Sequence, residues 1–229
     1  MANLYHLPEL PPEGAAVLSG DVAHHLLRVL RVRPGDQLTL CDGRGRTAAA
    51  TVQATSKAEL TADVAAATLH PRVRPHVTLA FACPRPARAD WLLEHGTEVG
   101  VGVFQPLWTA RSRPQSVRTD RWRKITAAAA GQCARPYLPE VREPLELSSL
   151  LAGELPEARF VASQGAAPLA APAGAQDALV LIGPEGGLDD AEQEAAEAAG
   201  LCPASLGPHI LRTETAALVA AAALLRGAE

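Results

Sequence analysis

The sequence predicts an α/β protein in which a small β-rich domain precedes a larger domain built on a mostly parallel sheet. The chain of 229 residues has room for one large domain or two modest ones. Hydrophobic residues make up 48% and charged residues 20%, a balance typical of folded proteins. After the proline-containing stretch 71–75, apolar strand-like runs alternate with helical patterns, as they do in strand–helix–strand units. We therefore place the domains at 1–72 and 73–229.

The first domain is predicted mainly from its turns. Strands at 37–40 and 47–52 flank the sequence CDGRG, whose glycines suit a hairpin connection. Alternating apolar and polar residues predict a further strand at 59–64. A short helix follows Asp21, its predicted cap. The residues that this helix is expected to bury on one face are Val22, Leu26, Val29 and Leu30.

The second domain alternates strands and helices along its whole length. Its predicted strands lie at 76–83, 103–108, 159–163, 178–182 and 204–206. Its predicted helices lie at 87–99, 120–132, 189–199 and 214–226. The last helix is apolar nearly all round, so we expect it to be buried in the core or in a subunit interface.

The net charge of -4 is an average over unlike regions. Residues 1–70 carry -1, residues 71–150 carry +5 and residues 151–229 carry -8. A basic middle and an acidic end indicate a polyanion site on one face, although charge also fluctuates along any chain. The four cysteines are widely spaced, which indicates free thiols. No secretory leader and no apolar run of about 20 residues is visible, so we expect a cytoplasmic protein without a membrane span.

The loop GPEGG at 183–187 directly follows a strand and precedes a helix that Asp189 can cap. Ligands of parallel sheets bind at the carboxyl ends of strands, so this loop is placed for a cofactor. It lacks the lysine of a P-loop, and Glu185 and the acidic residues after it would repel a phosphate. A neutral or cationic ligand fits better. A tight turn that needs glycine for geometry alone is the equal alternative.

A second junction between strand and helix has the sequence LGPHILRTETA at 206–216. Thr213 or its neighbour can cap the following helix, and Glu214 suits its first turn. The two Gly-Pro loops are expected to frame one pocket from both sides. Taken alone, Arg212 is expected to form a surface salt bridge, for example with Glu214.

Basic residues concentrate in QCARP at 132–136, ARSR at 110–113 and HHLLRVLRVR at 24–33. Arginine suits phosphate oxygens and stacks on bases, although an arginine-rich genome composition explains the same pattern equally well. His24, Arg28 and Arg31 are expected to share a helical face. A structural or capping role is the more frequent one for His24 and His25, and no cysteine or acidic cluster supports a metal there.

Together, GPEGG and LGPHILRTETA, separated by one helix, closely resemble the C-terminal signature of the SPOUT-class 16S rRNA uridine-N3 methyltransferases, the RsmE family. HHLLRVLRVRPGD with the CDGRG turn is similar to the family's PUA-like β-barrel domain, and HGTEVGV is similar to its T-E-L-G segment. The resemblance covers nearly the whole chain. It implies a PUA-like barrel at 1–72, a SPOUT-type α/β methyltransferase domain with a C-terminal trefoil knot at 73–229, and a homodimer.

The resemblance also implies S-adenosylmethionine (SAM) as cofactor, no metal, and one uridine of 16S rRNA as substrate, within the small ribosomal subunit or a late assembly particle. The implied cofactor-binding residues are Gly183, Pro184, Glu185, Gly186, Gly187, Leu206, Gly207, Ile210, Leu211, Arg212, Thr213, Glu214 and Ala216. The expected RNA-binding residues are His24, His25, Arg28, Arg31, Arg33, Arg111 and Arg113. Gln132 and Arg135 are expected near the target base, with a contribution across the dimer interface as one arrangement.

The implied reaction needs N3 of uridine to lose its proton and to attack the methyl group in line. Arg135 nearby would stabilise the negative charge that develops on the ring. Water or a carboxylate such as Glu98 is the candidate base. Because N3 lies on the Watson–Crick edge, the base must be unpaired or flipped out. Gly131 stands where the family often has glutamate, which removes that residue from the candidates.

Other functions compete with this interpretation. A SPOUT methyltransferase that acts on another RNA position is the nearest one. A non-catalytic RNA-binding protein of the same fold is a second, and the two complete loops argue against it. A nucleotide-phosphate enzyme is a third, disfavoured by the acidic loop.

Overall fold

The computed structural model describes residues 4–112 and 117–226, without the side chain of Asp21. The predicted cap by Asp21 therefore lies outside the described part. The chain forms two compact units. The first contains the residues up to 72 together with 127–138, and the second contains residues 73–126 and those from 139 onward. Residues 127–138 thus pack with the N-terminal unit, which their position in the sequence did not indicate.

A mostly antiparallel sheet builds the first unit. Its strands are β1 (Leu4–His6), β2 (Gly14–Leu18), β3 (Gln37–Cys41), β4 (Arg46–Thr55), β5 (Leu60–Val64) and β6 (Thr68–Leu69). They pair in the order β1-β3-β4-β5-β2, with β6 on β4 and with β1 parallel to β3. The predicted hairpin is confirmed, because β3 and β4 pair antiparallel around the CDGRG turn. Its buried core includes Leu38, Leu40, Val52 and Leu60.

The predicted short helix is wound differently from an ordinary α-helix. Helix α1 (Gly20–His24) continues into a π-helical turn, His25–Leu30, which ends at Arg31 in a left-handed conformation with φ 55°. The expected apolar face is wrong for two residues, since Val29 is 63% and Leu30 is 40% exposed. A π-helical turn forms i→i+5 hydrogen bonds, so the apolar period of an α-helix does not continue through it. His24, Arg28 and Arg31 are all exposed, and their common face stays a prediction.

A parallel sheet organises the second unit, as the sequence predicted. Its strands are β7 (His76–Ala82), β8 (Val103–Trp108), β9 (Glu140–Val141), β10 (Leu145–Glu146), β11 (Ala158–Ala162), β12 (Asp177–Ile182) and β13 (Cys202–Ala204). They pair in the order β10-β8-β7-β12-β11-β13, with β9 also on β8. The helices are α2 (Pro86–Val99), α3 (Thr119–Gln132), α4 (Leu147–Leu151), α5 (Asp190–Ala198) and α6 (Thr213–Leu224).

Helices cover both faces of this sheet, so its strands are apolar on both sides. Val77, Leu79 and Phe81 of β7 face one core, which also contains Leu92 of α2 and Leu224 of α6. A second core, around Ala80 of β7, contains residues of α4 and α5. Most of the apolar helix α6 is buried, as its composition predicted. No helix among the described residues is long and apolar enough to cross a membrane.

Candidate active site

A cavity of about 410 Å³ opens where β11, β12 and β13 end. This is the carboxyl edge of a parallel sheet, where such folds bind their ligands, and the volume is in the range of small-molecule sites. Both predicted Gly-Pro loops contribute to its wall. The predicted residues in the wall are Gly183, Pro184, Glu185, Gly186, Gly187, Leu206, Gly207, Ile210, Leu211, Thr213 and Ala216. Arg212 and Glu214 are not in the wall.

Sequence reasoning missed part of the same wall. The additional residues are Ala162, Ser163, Gln164, Ile182, Leu188, Gln193, Ser205 and His209. Ser163 and Gln164 directly follow β11, a strand that carries no glycine signature. Their contribution follows from β11 lying between β12 and β13, which the order of the sequence does not state. Only the position of β11 in the sheet, next to the two strands that carry the loops, places Ser163 and Gln164 in the wall.

The GPEGG loop folds as a tight turn over backbone groups. The amide of Gly187 donates to the carbonyl oxygen of Pro184 at 2.8 Å, and Gly187 adopts a left-handed φ of 71°. A Cβ atom on Gly183 would lie 3.2 Å from the amide nitrogen of Leu188. Glycine therefore serves geometry in this loop, and the same geometry leaves room for a ligand against the backbone. The tight turn is confirmed, and cofactor binding by this loop stays a prediction.

The start of helix α5 is occupied by the protein's own carboxylates. Asp189 Oδ1 accepts the amide of Glu192 at 2.8 Å, and Glu192 Oε2 accepts the amide of Asp189 at 3.1 Å. This capping box confirms the predicted cap by Asp189. Because the helix terminus already has two negative partners, it does not offer the anion site that a phosphate-binding loop needs.

Thr213 connects the two loops instead of capping helix α6. Its hydroxyl donates to the carbonyl oxygen of Gly183 at 3.1 Å. Of the two predicted candidates, the neighbour Arg212 occupies the N-cap position of α6, and its side chain makes no capping hydrogen bond. Since Gly183 begins the first loop and Thr213 ends the second, this bond sets the distance between the two sides of the cavity.

Arg88 of helix α2 joins the acidic residues of both loops. Its Nη1 lies 3.3 Å from Glu185 Oε1, and its Nε lies 3.5 Å from Glu214 Oε1. Glu214 is only 7% exposed, and its Oε2 has no hydrogen-bond partner among the described residues. The expected pair of Arg212 with Glu214 is therefore wrong, because Arg88 takes that position. Arg88 lies 97 residues from Glu185, so no local pattern pointed to it.

Arg111 also supports the first loop. Its guanidinium Nη1 donates to the carbonyl oxygens of Gly186 and Leu188. Part of this predicted RNA-binding side chain thus shapes the cofactor loop, and an RNA contact by its other N–H groups stays a prediction. Arg113, its predicted partner, lies outside the described residues.

The cavity wall contains few charged side chains. Glu185 is its only carboxylate, and no lysine or arginine belongs to it among the described residues. Apolar side chains such as Ile182 and Leu211 alternate there with neutral polar ones such as Ser163 and Gln193. This donor set suits a ligand that combines a flat apolar part, hydroxyl groups and a positive charge. It does not suit a phosphate.

The QCARP segment ends helix α3 in the first unit. Ala134 adopts a left-handed φ of 57°, and the amide of Arg135 donates to the carbonyl oxygen of Ala130 at 2.9 Å. Burial lowers the pKa of Arg135 to about 10, and the nearby charge of Arg72 contributes to the lowering. The guanidinium therefore stays positive at neutral pH. Gln132, at the end of the helix, is exposed.

Gly131 has a steric reason to lack a side chain. A Cβ atom at this position would lie 2.7 Å from the backbone carbonyl oxygen of Leu4 in β1. The helix therefore packs directly on the strand, and no larger side chain fits there without displacing the backbone.

Glu98, the candidate base, is not part of the cavity wall. Its Oε2 lies 3.4 Å from Nδ1 of His95, and its side chain is 41% exposed. Glu94, His95 and Glu98 bring their donor atoms within 4.8 Å of one another on this surface of α2. A role for Glu98 as base stays a prediction.

Five of the predicted RNA-binding residues lie on the surface of the first unit. They are His24, His25, Arg28, Arg31 and Arg33, all exposed. Asp36, close by in the sequence, accepts the amide of Arg33 at 2.7 Å. Exposure is what an RNA contact requires, and the contact itself stays a prediction.

Two family models match the chain. Residues 72–225 match an RNA methyltransferase domain, and residues 18–65 match an RNA methyltransferase PUA domain. The parallel sheet with its loop-framed cavity and the β-rich first unit correspond to these two matches. Fold and site therefore define an RNA methyltransferase with a PUA-like N-terminal domain.

Curated relatives narrow this class. The ribosomal RNA small subunit methyltransferase E of Mycobacterium bovis is 35% identical, over 98% of this chain and 91% of that protein. The protein of the same name from Bacillus subtilis is 31% identical, over 90% of this chain and 88% of that protein. The chain belongs to the ribosomal RNA small subunit methyltransferase E family, abbreviated RsmE.

Solved structures agree with the fold. A ribosomal RNA small subunit methyltransferase E of Neisseria gonorrhoeae bound to S-adenosyl methionine has a TM-score of 0.88 and 30% identity, covering 97% of this chain and 96% of that one. A methyltransferase of Legionella pneumophila with bound SAM has a TM-score of 0.88 and 27% identity, covering 100% and 99%. The predicted family and the predicted SPOUT-type fold with a PUA-like domain are thereby confirmed.

Proposed function

We propose that this protein methylates N3 of one uridine in 16S rRNA with SAM as methyl donor. The observation that carries the proposal is the cavity between the two Gly-Pro loops, whose only carboxylate is Glu185 and which contains no basic lysine or arginine among the described residues. Membership in the RsmE family supports rRNA of the small subunit as the substrate, since the relatives carry that name.

The residues of the cavity fit SAM group by group. The apolar side chains of Leu206, Ile210 and Leu211 suit the adenine ring, and backbone groups beside Gly183 suit its ring nitrogens and the ribose hydroxyls. The carboxylate of Glu185 attracts a cationic ligand, and its ion pair with Arg88 at 3.3 Å offsets part of that attraction. When bound, SAM supplies an electrophilic methyl group on a sulfonium. The relatives from Neisseria and Legionella, which carry bound SAM, support this assignment.

The chain's own residues then position and polarise the uridine. Arg135, positive at neutral pH, stabilises the negative charge that develops on the ring as N3 loses its proton. Gln132 offers an amide beside it for the carbonyl groups of the base. The proton passes to water or to Glu98. Holding N3 in line with the methyl group supplies much of the rate enhancement, because attack then needs no further ordering.

The assembly that we propose around this chemistry is a cytoplasmic homodimer. Its second unit has a C-terminal trefoil knot that holds the two loops, and its first unit binds rRNA through the exposed histidines and arginines at 24–33. The substrate is the small ribosomal subunit or a late assembly particle. The low aromatic content of 3% fits recognition by charge and shape more than by base stacking.

The deciding experiment compares rRNA from cells with and without this protein. We expect one uridine of 16S rRNA to lose its N3 methyl group in the deletion strain and to regain it on complementation, as read by primer extension and by mass spectrometry of nucleosides. Loss of a methyl group elsewhere would favour a SPOUT enzyme of another specificity.

A second measurement separates the enzyme from a non-catalytic RNA-binding protein. Calorimetry with SAM should give a saturable isotherm for the wild type. Gly183→Val should weaken it, because a side chain there meets Leu188. Gly165→Ala serves as the control, since Gly165 lies outside the cavity and its Cβ would meet no atom within 4 Å, although its φ of 74° costs some stability. Absence of SAM binding at millimolar concentration would contradict the proposal.

A further inference from the structure

The carboxylate of Glu192 makes two contacts with backbone amides, and only one of them lies within its own helix. Its Oε2 accepts the amide of Asp189 at 3.1 Å, as the third residue of a capping box does. Its other oxygen, Oε1, accepts the amide of Ala110 at 2.7 Å, from a segment 82 residues away in the sequence. A capping box needs only the first bond. The second bond therefore joins the start of α5 to a distant part of the chain.

Ala110 lies at the tip of a tight turn directly after β8, which we call turn 109–112. The amide of Thr109 donates to the carbonyl oxygen of Ser112, and the amide of Ser112 donates to that of Thr109, both at 3.1 Å. The hydroxyl of Ser112 also donates to the carbonyl oxygen of Cys83, just after β7, at 2.8 Å. The base of the turn is thus fixed to the sheet, and the bond to Glu192 fixes its tip.

Arg111 is the second residue at this tip, and its side chain extends to the GPEGG loop. Its Nη1 donates to the carbonyl oxygens of Gly186 and Leu188. A Cβ atom on Gly186 would lie 3.4 Å from Cδ of Arg111, so the stem of the arginine packs against the loop as well. Gly186 and Leu188 both belong to the wall of the candidate cofactor cavity. Turn 109–112 therefore supports that wall through Arg111.

A continuous set of contacts thus leads from Glu192 to the cavity. Glu192 itself is not in the cavity wall, although the next residue, Gln193, is. An arginine side chain has many rotamers, and holding it in one of them costs conformational entropy. The cost is smaller when the backbone that carries the side chain is already fixed, which is the general advantage of a preorganised site. The bond from Ala110 to Glu192 supplies that fixation next to Arg111.

The two bonds of Glu192 require a carboxylate of this length. Both oxygens of a carboxylate accept hydrogen bonds, whereas the amide of glutamine has one accepting oxygen and one donating nitrogen. The negative charge also strengthens bonds from backbone amides. Glutamine at this position can serve either the capping box or Ala110, but not both.

We propose that Glu192 is a positioning residue of the cofactor site, which fixes turn 109–112 so that Arg111 holds the GPEGG loop in its ligand-binding shape. This inference rests on the proposed function, because it takes SAM to be the ligand of the cavity. Glu192 acts through Arg111 and not by contact with the ligand.

The test measures SAM affinity of the full chain by calorimetry, with the melting temperature of each variant as a separate reading. Glu192→Ala should weaken SAM about tenfold, the equivalent of one charge-assisted hydrogen bond. Glu194→Ala is the matched control, since it removes the same charge from an exposed position of the same helix, and its affinity should equal that of the wild type.

A second control separates positioning from helix capping. Asp189→Ala removes the side chain that caps α5 but keeps the backbone amide at 189 and the bond between Glu192 and Ala110. It should lower the melting temperature, as loss of a cap does, and leave most of the SAM affinity. Glu192→Gln should bind SAM with an affinity between those of the wild type and Glu192→Ala, and it replaces Glu192→Ala in each comparison if the alanine variant does not fold.

A double-mutant cycle tests whether Glu192 acts through Arg111. Arg111→Ala alone should weaken SAM about tenfold, and the double variant should bind about as weakly as Arg111→Ala alone, because the two residues belong to one set of contacts. In methyl transfer, Glu192→Ala should raise KM for SAM by the same factor as the dissociation constant and change kcat little, as expected when binding is lost equally before and in the transition state.

Each result has a defined meaning for the inference and for the function on which it rests. The inference is wrong if Glu192→Ala binds SAM as tightly as Glu194→Ala, if it binds no more weakly than Asp189→Ala, or if its effect and that of Arg111→Ala multiply. If the wild type binds no SAM, the cofactor assignment and this inference both fail. If the variants behave as expected and the uridine N3 methyl group is unaffected by deletion of the protein, the proposed substrate is wrong and the role of Glu192 stands.

Discussion

The two units of this chain use arginine in opposite ways. In the second unit, Arg74, Arg88, Arg121, Arg123 and Arg142 pair with carboxylates, and Arg111 bonds to loop carbonyls. In the first unit, Arg28, Arg31 and Arg33 are exposed, and Arg72 lies on a tyrosine ring.

The net charge of a chain segment differs from the charge that its folded surface presents. Residues 71–150 carry +5, which the sequence associated with binding a polyanion. The pairs of Arg121, Arg123 and Arg142 are already counted in that sum, but Arg74 and Arg88 pair with Asp177, Glu185 and Glu214, which lie outside the segment. The segment count therefore overstates the charge that an anion would meet. Arg28, Arg31 and Arg33 of the first unit are exposed, and they add nothing to the count for residues 71–150 because they lie elsewhere in the chain. Charge available at a surface, not charge per segment, is the relevant quantity.

Removing Arg135 tests the proposed role of the first unit in stabilising the target base, and we expect the largest effect from this variant. Arg135→Ala should lower kcat for methyl transfer by about 10²–10³, the usual cost of losing one donor to a developing anion. SAM affinity should stay nearly unchanged. Single-turnover transfer from labelled SAM to unmodified small subunits, together with calorimetry, measures both. A large loss of SAM affinity would contradict the role assigned to Arg135, and Arg142→Ala is the control for a general loss of charge.

Filling Gly131 tests whether the packing in the first unit explains the departure from the family. Alanine normally stabilises a helix by about 1 kcal/mol relative to glycine. Here its Cβ would lie 2.7 Å from the carbonyl oxygen of Leu4, so we expect Gly131→Ala to lower the free energy of unfolding by about 1–3 kcal/mol. Gly131→Glu should cost at least as much. A higher midpoint in urea for either variant would refute this steric account.

Removing Arg88 affects the second unit, where this residue contacts both Gly-Pro loops. Without it, the buried carboxylate of Glu214 loses its ion pair and the two loops lose a common partner. We expect Arg88→Ala to weaken SAM about tenfold, the equivalent of one charge-assisted hydrogen bond, and to leave the salt dependence of RNA binding as it is. Arg121→Ala, which breaks the exposed pair with Asp90, is the control. Equal SAM affinity in the two variants would show that Arg88 does not organise the loops.

The smallest expected effect concerns the backbone that presents Arg135. Ala134 has a left-handed conformation that costs a residue with a Cβ about 1 kcal/mol. Ala134→Gly should therefore raise the free energy of unfolding by up to that amount. Ala128→Gly, at an exposed position within helix α3, should lower the free energy of unfolding by about 1 kcal/mol. Chemical denaturation measures the change in the free energy of unfolding for both variants. A lower free energy of unfolding for Ala134→Gly would mean that the turn is not strained.

Elements with a strong local period were predicted within one or two residues of their ends. The strand 103–108 is β8, Val103–Trp108, and the helix 87–99 is α2, Pro86–Val99. Short strands such as β1 and β2 were missed because three to five residues without clear alternation have no period to detect. The face of the first helix was wrong because a π-helical turn changes the period itself.

The parallel sheet, the two loops and most of the cavity wall follow from local patterns in the chain. These features depend on residues adjacent in the chain: apolar strands, glycines for tight turns and a cap for the next helix. Which charges meet depends on the folded arrangement instead. Arg88 reaches Glu185 across 97 residues, and Arg72 reaches Tyr137 only because a separate segment pairs with the CDGRG turn. Electrostatic and packing energies depend on distance in space, and a linear sequence does not contain that distance.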